Sequence, residues 1–161
     1  MNRKQHTEED RVAERVAAAV LEGATLKDLR GISTEQMDGL YAYAHEFYQQ
    51  GRLDDAEKFF HFLCIYDFYN AHYWMGLAAV YQLKRNYPKA IDLFAVAFAQ
   101  DTNDYLPMFY SGQCQLALGK AGKAKACFEG VVSNTTNDNV LRQAQTYLSA
   151  LAQVQAELEE E

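Results

Sequence analysis

Residues 71–104 read AHYWMGLAAVYQLKRNYPKAIDLFAVAFAQDTND. Trp74, Leu77, Ala78 and Tyr81 recur at three and four, the spacing of one helix face. Ala90, Phe94 and Ala97 repeat that spacing after a break at Arg85 and Asn86. Asn86 is a good N-cap, and Pro88 two residues later falls where a first helical turn tolerates proline. The stretch therefore predicts two helices joined by a short turn at Arg85.

This stretch is one of three. Units start at Met37, Ala71 and Tyr105, 34 residues apart with no insertion. Place four is Leu40, Trp74 or Met108, always large and apolar; place eight is Ala44, Ala78 or Gly112, always small. Place twenty is Ala56, Ala90 or Ala124, and place twenty-four is Phe60, Phe94 or Phe128. Place twenty-seven is Leu63, Ala97 or Val131, and each unit closes on Asn70, Asp104 or Asp138, all good caps. Each unit then reads as an antiparallel helical hairpin. Small residues at places eight and twenty let the two helices approach. The phenylalanine fills the space between them and the next hairpin. Gly51, Arg85 and Gly119 at place fifteen mark the turns.

The pattern resembles the tetratricopeptide repeat, which has this period and the signature W-x2-L-G-x2-Y…A-x3-F. The second unit fits best. The third departs from it at Ser111 and Gln115, and no unit has the proline usual near place thirty-two, where Phe68, Thr102 and Thr136 stand. The resemblance implies an all-α fold, three tandem repeats stacked in a right-handed superhelix.

Composition agrees. The chain has 161 residues, with only 9 glycines and 2 prolines against 49% hydrophobic content. That is too few turn formers for a sandwich or barrel, and too apolar for disorder. The 15 Lys and Arg against 22 Asp and Glu give a net charge of −7, which disfavours direct nucleic-acid binding. Glu157, Glu159, Glu160 and Glu161 form an acidic tail, expected to fray in solvent. Residues 1–11 are polar with no apolar core, so no signal peptide is expected. Leu93 to Ala99 is too short an apolar run to cross a membrane.

Three segments follow. Residues 1–36 form an N-terminal helical arm, 37–138 the repeats, and 139–161 a C-terminal capping helix with the acidic tail. In that last helix Val140, Leu141, Ala144, Tyr147, Leu148, Leu151 and Val154 recur at three and four, a face suited to cover the last hairpin. In the arm, Val12, Val16 and Val20 predict a helix ending near Gly23. Leu26, Leu29 and Ile32 follow, then a capping box at Ser33 to Gln36. The arm either folds back on the first hairpin or supplies a self-association surface; the two readings are compatible.

Enzyme signatures are absent: no Gly-rich phosphate loop, G-x-S-x-G, H-E-x-x-H or C-x-x-C. Cys64, Cys114 and Cys127 have no metal spacing and read as reduced packing residues. His61 and Cys64 are three apart but lack further ligands. No enzyme activity, metal or cofactor is expected. Binding is the better reading. In such a stack the first helix of each unit lines the inner wall, and places five, nine and twelve face the groove. They are Tyr41, His45 and Tyr48; Met75, Ala79 and Gln82; Phe109, Gln113 and Leu116. A solvated face would carry Lys and Glu; this one carries aromatics, Met, Leu and amides, suiting an extended, partly apolar peptide. With no Lys or Arg, it does not suit a carboxylate clamp. Cover by the arm or by another subunit is the competing explanation. The repeat alone also suits an adaptor that joins folded proteins.

Particular stretches narrow the choice. They are residues 23–32 (GATLKDLRGI), 40–44 (LYAYA), 47–53 (FYQQGRL), 63–67 (LCIYD), 112–116 (GQCQL) and 124–128 (AKACF). Together they resemble the class II type III secretion chaperones, the SycD/LcrH/IpgC/SicA group. The resemblance implies a chaperone of the bacterial cytoplasm that holds hydrophobic translocator proteins before secretion. It does so through an extended P-x-L-x-x-P-like client segment in the groove. Tyr41 and Tyr48 match the group's groove tyrosines, and His45 stands where another member has an aromatic. The resemblance also admits a homodimer through the arm, and pairing with an AraC-type activator as co-regulator, as in some relatives.

Overall fold

The computed structural model describes residues 7–160; residues 1–6 of the polar N-terminal stretch, and Glu161 of the acidic tail, lie outside the described residues. The described residues form α1 (Glu8–Leu21), α2 (Leu26–Arg30), α3 (Thr34–Gln49), α4 (Leu53–Tyr66), α5 (Ala71–Leu83), α6 (Tyr87–Gln100), α7 (Leu106–Ala117), α8 (Ala121–Asn134) and α9 (Asp138–Glu159). No strand occurs among them. Helices α3–α4, α5–α6 and α7–α8 are the three hairpins. Each packs on the next, and α9 lies on α8.

The turns repeat in geometry. Gly51, Arg85 and Gly119 have φ of 73°, 61° and 72°, the left-handed conformation that ends a helix. Each N–H bonds the carbonyl three residues back (Tyr48, Gln82, Leu116), and the following N–H bonds that of Phe47, Tyr81 or Gln115. Arg85 does this without glycine's freedom and carries the strain of its Cβ.

The helix starts follow the sequence except at α7 and α9, where the cap is displaced by one residue. Ser33 Oγ accepts from the Gln36 N–H, while Gln36 Oε1 accepts from the Ser33 N–H, the expected box. Asn70 and Asn86 cap α5 and α6 through their side chains. Asp104 is not the cap of α7: Tyr105 holds that position, and the Asp104 carboxylate accepts from the Leu106 N–H at 2.9 Å from one residue further out. Asp138 is not the cap of α9. Asn137 takes that place, accepting from Asn139 and Val140. Asp138 falls in the first turn, where its charge meets the positive helix end.

Packing explains the small residues. Ala44, Ala56, Ala78, Ala90 and Ala124 are wholly buried at the hairpin crossings. Phe60, Phe94 and Phe128 are buried beside them. Gly76 on α5 faces Phe60 of the preceding hairpin: a Cβ there would lie 2.1 Å from the ring. Phe94 stacks on Tyr110 at 5.6 Å, and Phe128 on Tyr147 at 4.7 Å. Lys84 at the end of α5 bridges back to Asp54 and Glu57 of α4, and the Tyr81 hydroxyl donates to Glu57 at 2.7 Å. These pairs lower the pKa of both carboxyls and raise that of Lys84.

The two ends behave differently. The short α2 docks: Lys27 pairs with Asp67 at 2.7 Å, and Ile32 packs on the core. The longer α1 does not fold back on the first hairpin. It buries no residue, and Val12, Val16 and Val20 are 57%, 42% and 52% exposed. Two residues, Ala24 and Thr25, separate Gly23, in the left-handed conformation, from the first residue of α2. At the other end, Val140 and Ala144 are buried, and Tyr147, Leu148 and Leu151 complete the contact with the last hairpin. The helix extends through Glu157 and Glu159. Gln153 and Gln155 donate to those carboxylates one turn on.

Two substitutions test this account in opposite directions. Gly76→Val should destabilise by about 1–3 kcal/mol through overpacking against Phe60. Arg85→Gly should stabilise by about 0.5–1 kcal/mol through relief of the left-handed residue. Urea unfolding of both variants measures the shifts; a stabilised Gly76→Val would refute the packing.

Candidate peptide-binding groove

The first helices of the three hairpins form the walls of a depression of about 290 Å³. Tyr41, His45 and Tyr48 come from α3; His72, Met75, Gly76 and Ala79 from α5; Leu106 and Tyr110 from α7. Phe60 of α4 forms the floor, and Asp104 sits at one end. The rings are locked together: Tyr41 meets His45 edge-on at 4.5 Å and Tyr73 at 5.4 Å, while His45 meets Phe60 at 5.4 Å. Such edge contacts fix ring orientation before a ligand arrives.

Five of the nine residues expected from sequence meet in this depression: Tyr41, His45, Tyr48, Met75 and Ala79. Gln82 lies just beyond it and donates to Gln113 Oε1 at 3.2 Å; Gln113 in turn donates to the Tyr147 hydroxyl at 3.1 Å. The last unit departs from the pattern. Phe109 is 2% exposed, packed on Phe128 and Tyr147 each at 5.7 Å, so it is a core residue and not an open groove residue. Leu116 packs against the same cluster. The reason is α9, whose Tyr147 closes this end of the wall. Sequence reading missed His72, Gly76, Leu106 and Tyr110, which occupy places two and six. Adding those places to five and nine completes the i, i+3, i+4, i+7 run of one helix face, which was the available signal.

Electrostatically the groove is quiet. Burial pushes the Tyr41 and Tyr48 phenols up and holds the His45 imidazole below its ordinary value, so all three are uncharged near neutrality. Burial pushes the Cys64 thiol up to about 12 and Cys114 up to about 11, the reverse of an activated nucleophile. His61 is exposed while Cys64 is buried, so they do not form a pair. Among the described residues no group of three or more His, Cys, Asp or Glu is placed to hold a metal, and no helix is long and apolar enough to cross a membrane. A ring-lined concave wall on stacked helical hairpins defines a helical-repeat scaffold with a largely apolar groove.

Comparison with known proteins makes the class specific. The family model described as tetratricopeptide repeat matches residues 37–70 and 72–104. The chaperone protein SicA of Salmonella typhimurium is 56% identical over 157 residues, covering 98% of this chain and 95% of SicA. The type III secretion translocator chaperone SycD of Yersinia enterocolitica superposes with a TM-score of 0.74 at 26% identity, covering 80% of this chain and 98% of SycD; SycD is also known in an alternative dimer. PcrH of Pseudomonas aeruginosa, in complex with the chaperone binding region of PopD, gives 0.72 at 29% identity over 78% of this chain and 97% of PcrH. This chain belongs to the family of type III secretion chaperones built on tetratricopeptide repeats.

The half-buried His45 carries a pH prediction. Its folded pKa lies below the ordinary 6.5, so the folded state binds fewer protons than the unfolded one as pH falls past that value. The stability from its neutral burial is full above about pH 6.5 and is lost as pH drops through the lower folded value. Thermal melts from pH 7.5 to 5 should show a midpoint that falls less for His45→Phe than for the wild type. Parallel curves would show that His45 does not report on the groove.

Proposed function

We propose that this chaperone holds a hydrophobic translocator in the bacterial cytoplasm by laying an extended segment of it along α3, α5 and α7. The observation that carries this reading is the largely apolar depression lined by Tyr41, Tyr48, Met75 and Tyr110, with Asp104 at one end. It supplies apolar contacts for alternate side chains of an extended chain and no Lys or Arg to pair with a carboxylate. The relative PcrH, known bound to the chaperone binding region of PopD, supports the same mode. Holding is passive. The client's apolar segment exchanges water for the rings of the groove, and while it is covered it cannot associate with other chains. The copies pair through the exposed valine stripe of α1, a reading supported by the dimer known for SycD.

Replacing two ring anchors tests this directly. Tyr41→Ala with Tyr48→Ala should weaken capture of a co-expressed translocator about tenfold or more, since aromatic anchors dominate such interfaces. Far-UV circular dichroism should keep its helix signal. Undiminished capture, or a translocator that is equally soluble without the chaperone, would overturn the proposal.

A further inference from the structure

Asp104 is the single carboxylate among the residues that line the peptide groove, and no Lys or Arg lines it. It stands between α6 and α7, half-buried, at the mouth of the groove beside the start of α7. The Leu106 N–H fixes its Oδ1 at 2.9 Å, while its Oδ2 takes no hydrogen bond among the described residues.

This carboxylate differs from its counterparts elsewhere in the stack. Among the described residues, the carboxylates withdrawn from full exposure are Asp55, Glu57, Asp67 and Asp104. Arg52, Lys84 and Lys27 pair with the first three. Asp104 alone has no cation of its own chain beside it. Left open to water, a half-buried carboxylate is hydrated and costs little. A client lying over it removes that water, and a desolvated carboxylate is costly unless the client brings a positive partner. A client carboxylate at the same place would add repulsion. There is room for a long cationic side chain. At His72 the groove opens into a polar cleft that includes Asn70, Gln100 and the exposed Asp101.

We propose that Asp104 is a specificity-determining residue of the groove, pairing with a Lys or Arg of the client segment where that segment passes the start of α7. This rests on the reading that the groove holds an extended client, and it adds a charge requirement to the apolar one. The apolar wall supplies the hold, and Asp104 selects which apolar segments are held and in which register.

A lysine walk tests it by fluorescence anisotropy. The probe is a labelled peptide with the P-x-L-x-x-P pattern and glutamine at every other position. In the series, a single lysine replaces each glutamine in turn. At one position, or two adjacent ones, lysine should tighten binding to the wild type about two- to fivefold, the worth of a partly exposed ion pair. Glutamate at that position should weaken it. Asp104→Asn keeps an oxygen for the Leu106 N–H and should abolish the lysine gain while binding the all-glutamine peptide at least as well. Asp92→Asn removes the same charge from the exposed side of α6 and should leave the gain intact. The proposal is overturned if no lysine position gains, if the gain survives Asp104→Asn, or if Asp92→Asn removes it equally. In any of those cases, an all-glutamine peptide that still loses binding to Tyr41→Ala with Tyr48→Ala leaves the groove reading standing. Binding untouched by that double variant would overturn the groove reading as well.

Discussion

The contact on which the structure depends is the burial of one phenylalanine ring per hairpin. Phe60, Phe94 and Phe128 are each almost fully inaccessible, wedged between the two helices of their own unit and the helix that follows. Each meets a different neighbour: the bare backbone of Gly76, the ring of Tyr110, the ring of Tyr147. Burial of a ring of this size is among the largest apolar terms available to a single side chain. The wedge sets how far apart successive hairpins stand. It also makes the floor of the groove, because Tyr41 and His45 lean on Phe60. The core and the proposed binding surface therefore share one group of rings.

That sharing explains why the groove is preformed. Its side chains are held by ring contacts to the core and by the repeat geometry, so a client segment meets oriented apolar surfaces. Less ordering cost then falls on the chaperone at the moment of binding. The amide row from Gln82 through Gln113 to Tyr147 ends the apolar section and ties α5, α7 and α9 together. Tyr147 thus acts twice, as cover for Phe128 and as the closing group of the wall.

Much of this was legible in the sequence because the repeat register is rigid. The left-handed turn residues, the caps at Ser33, Asn70 and Asn86, and the small residues at crossings all follow from local chemistry. What escaped was set by neighbours. Phe109 shares place five with Tyr41, yet α9 covers it; no local pattern reveals where a capping helix comes to rest. Places two and six joined the groove because a helix face is wider than three positions. The arm was legible as a helix but not as an undocked one, since an amphipathic stripe looks the same whether its partner lies in the same chain or another.

The central claim is that the client lies along α3, α5 and α7. Site-specific photocrosslinking tests it most directly, with a benzoylphenylalanine placed at Met75 in the groove or at exposed Tyr43 on α3 outside it. With the translocator co-expressed, the account predicts a crosslinked adduct from position 75 and none from position 43. An adduct from 43 with silence at 75 would contradict it.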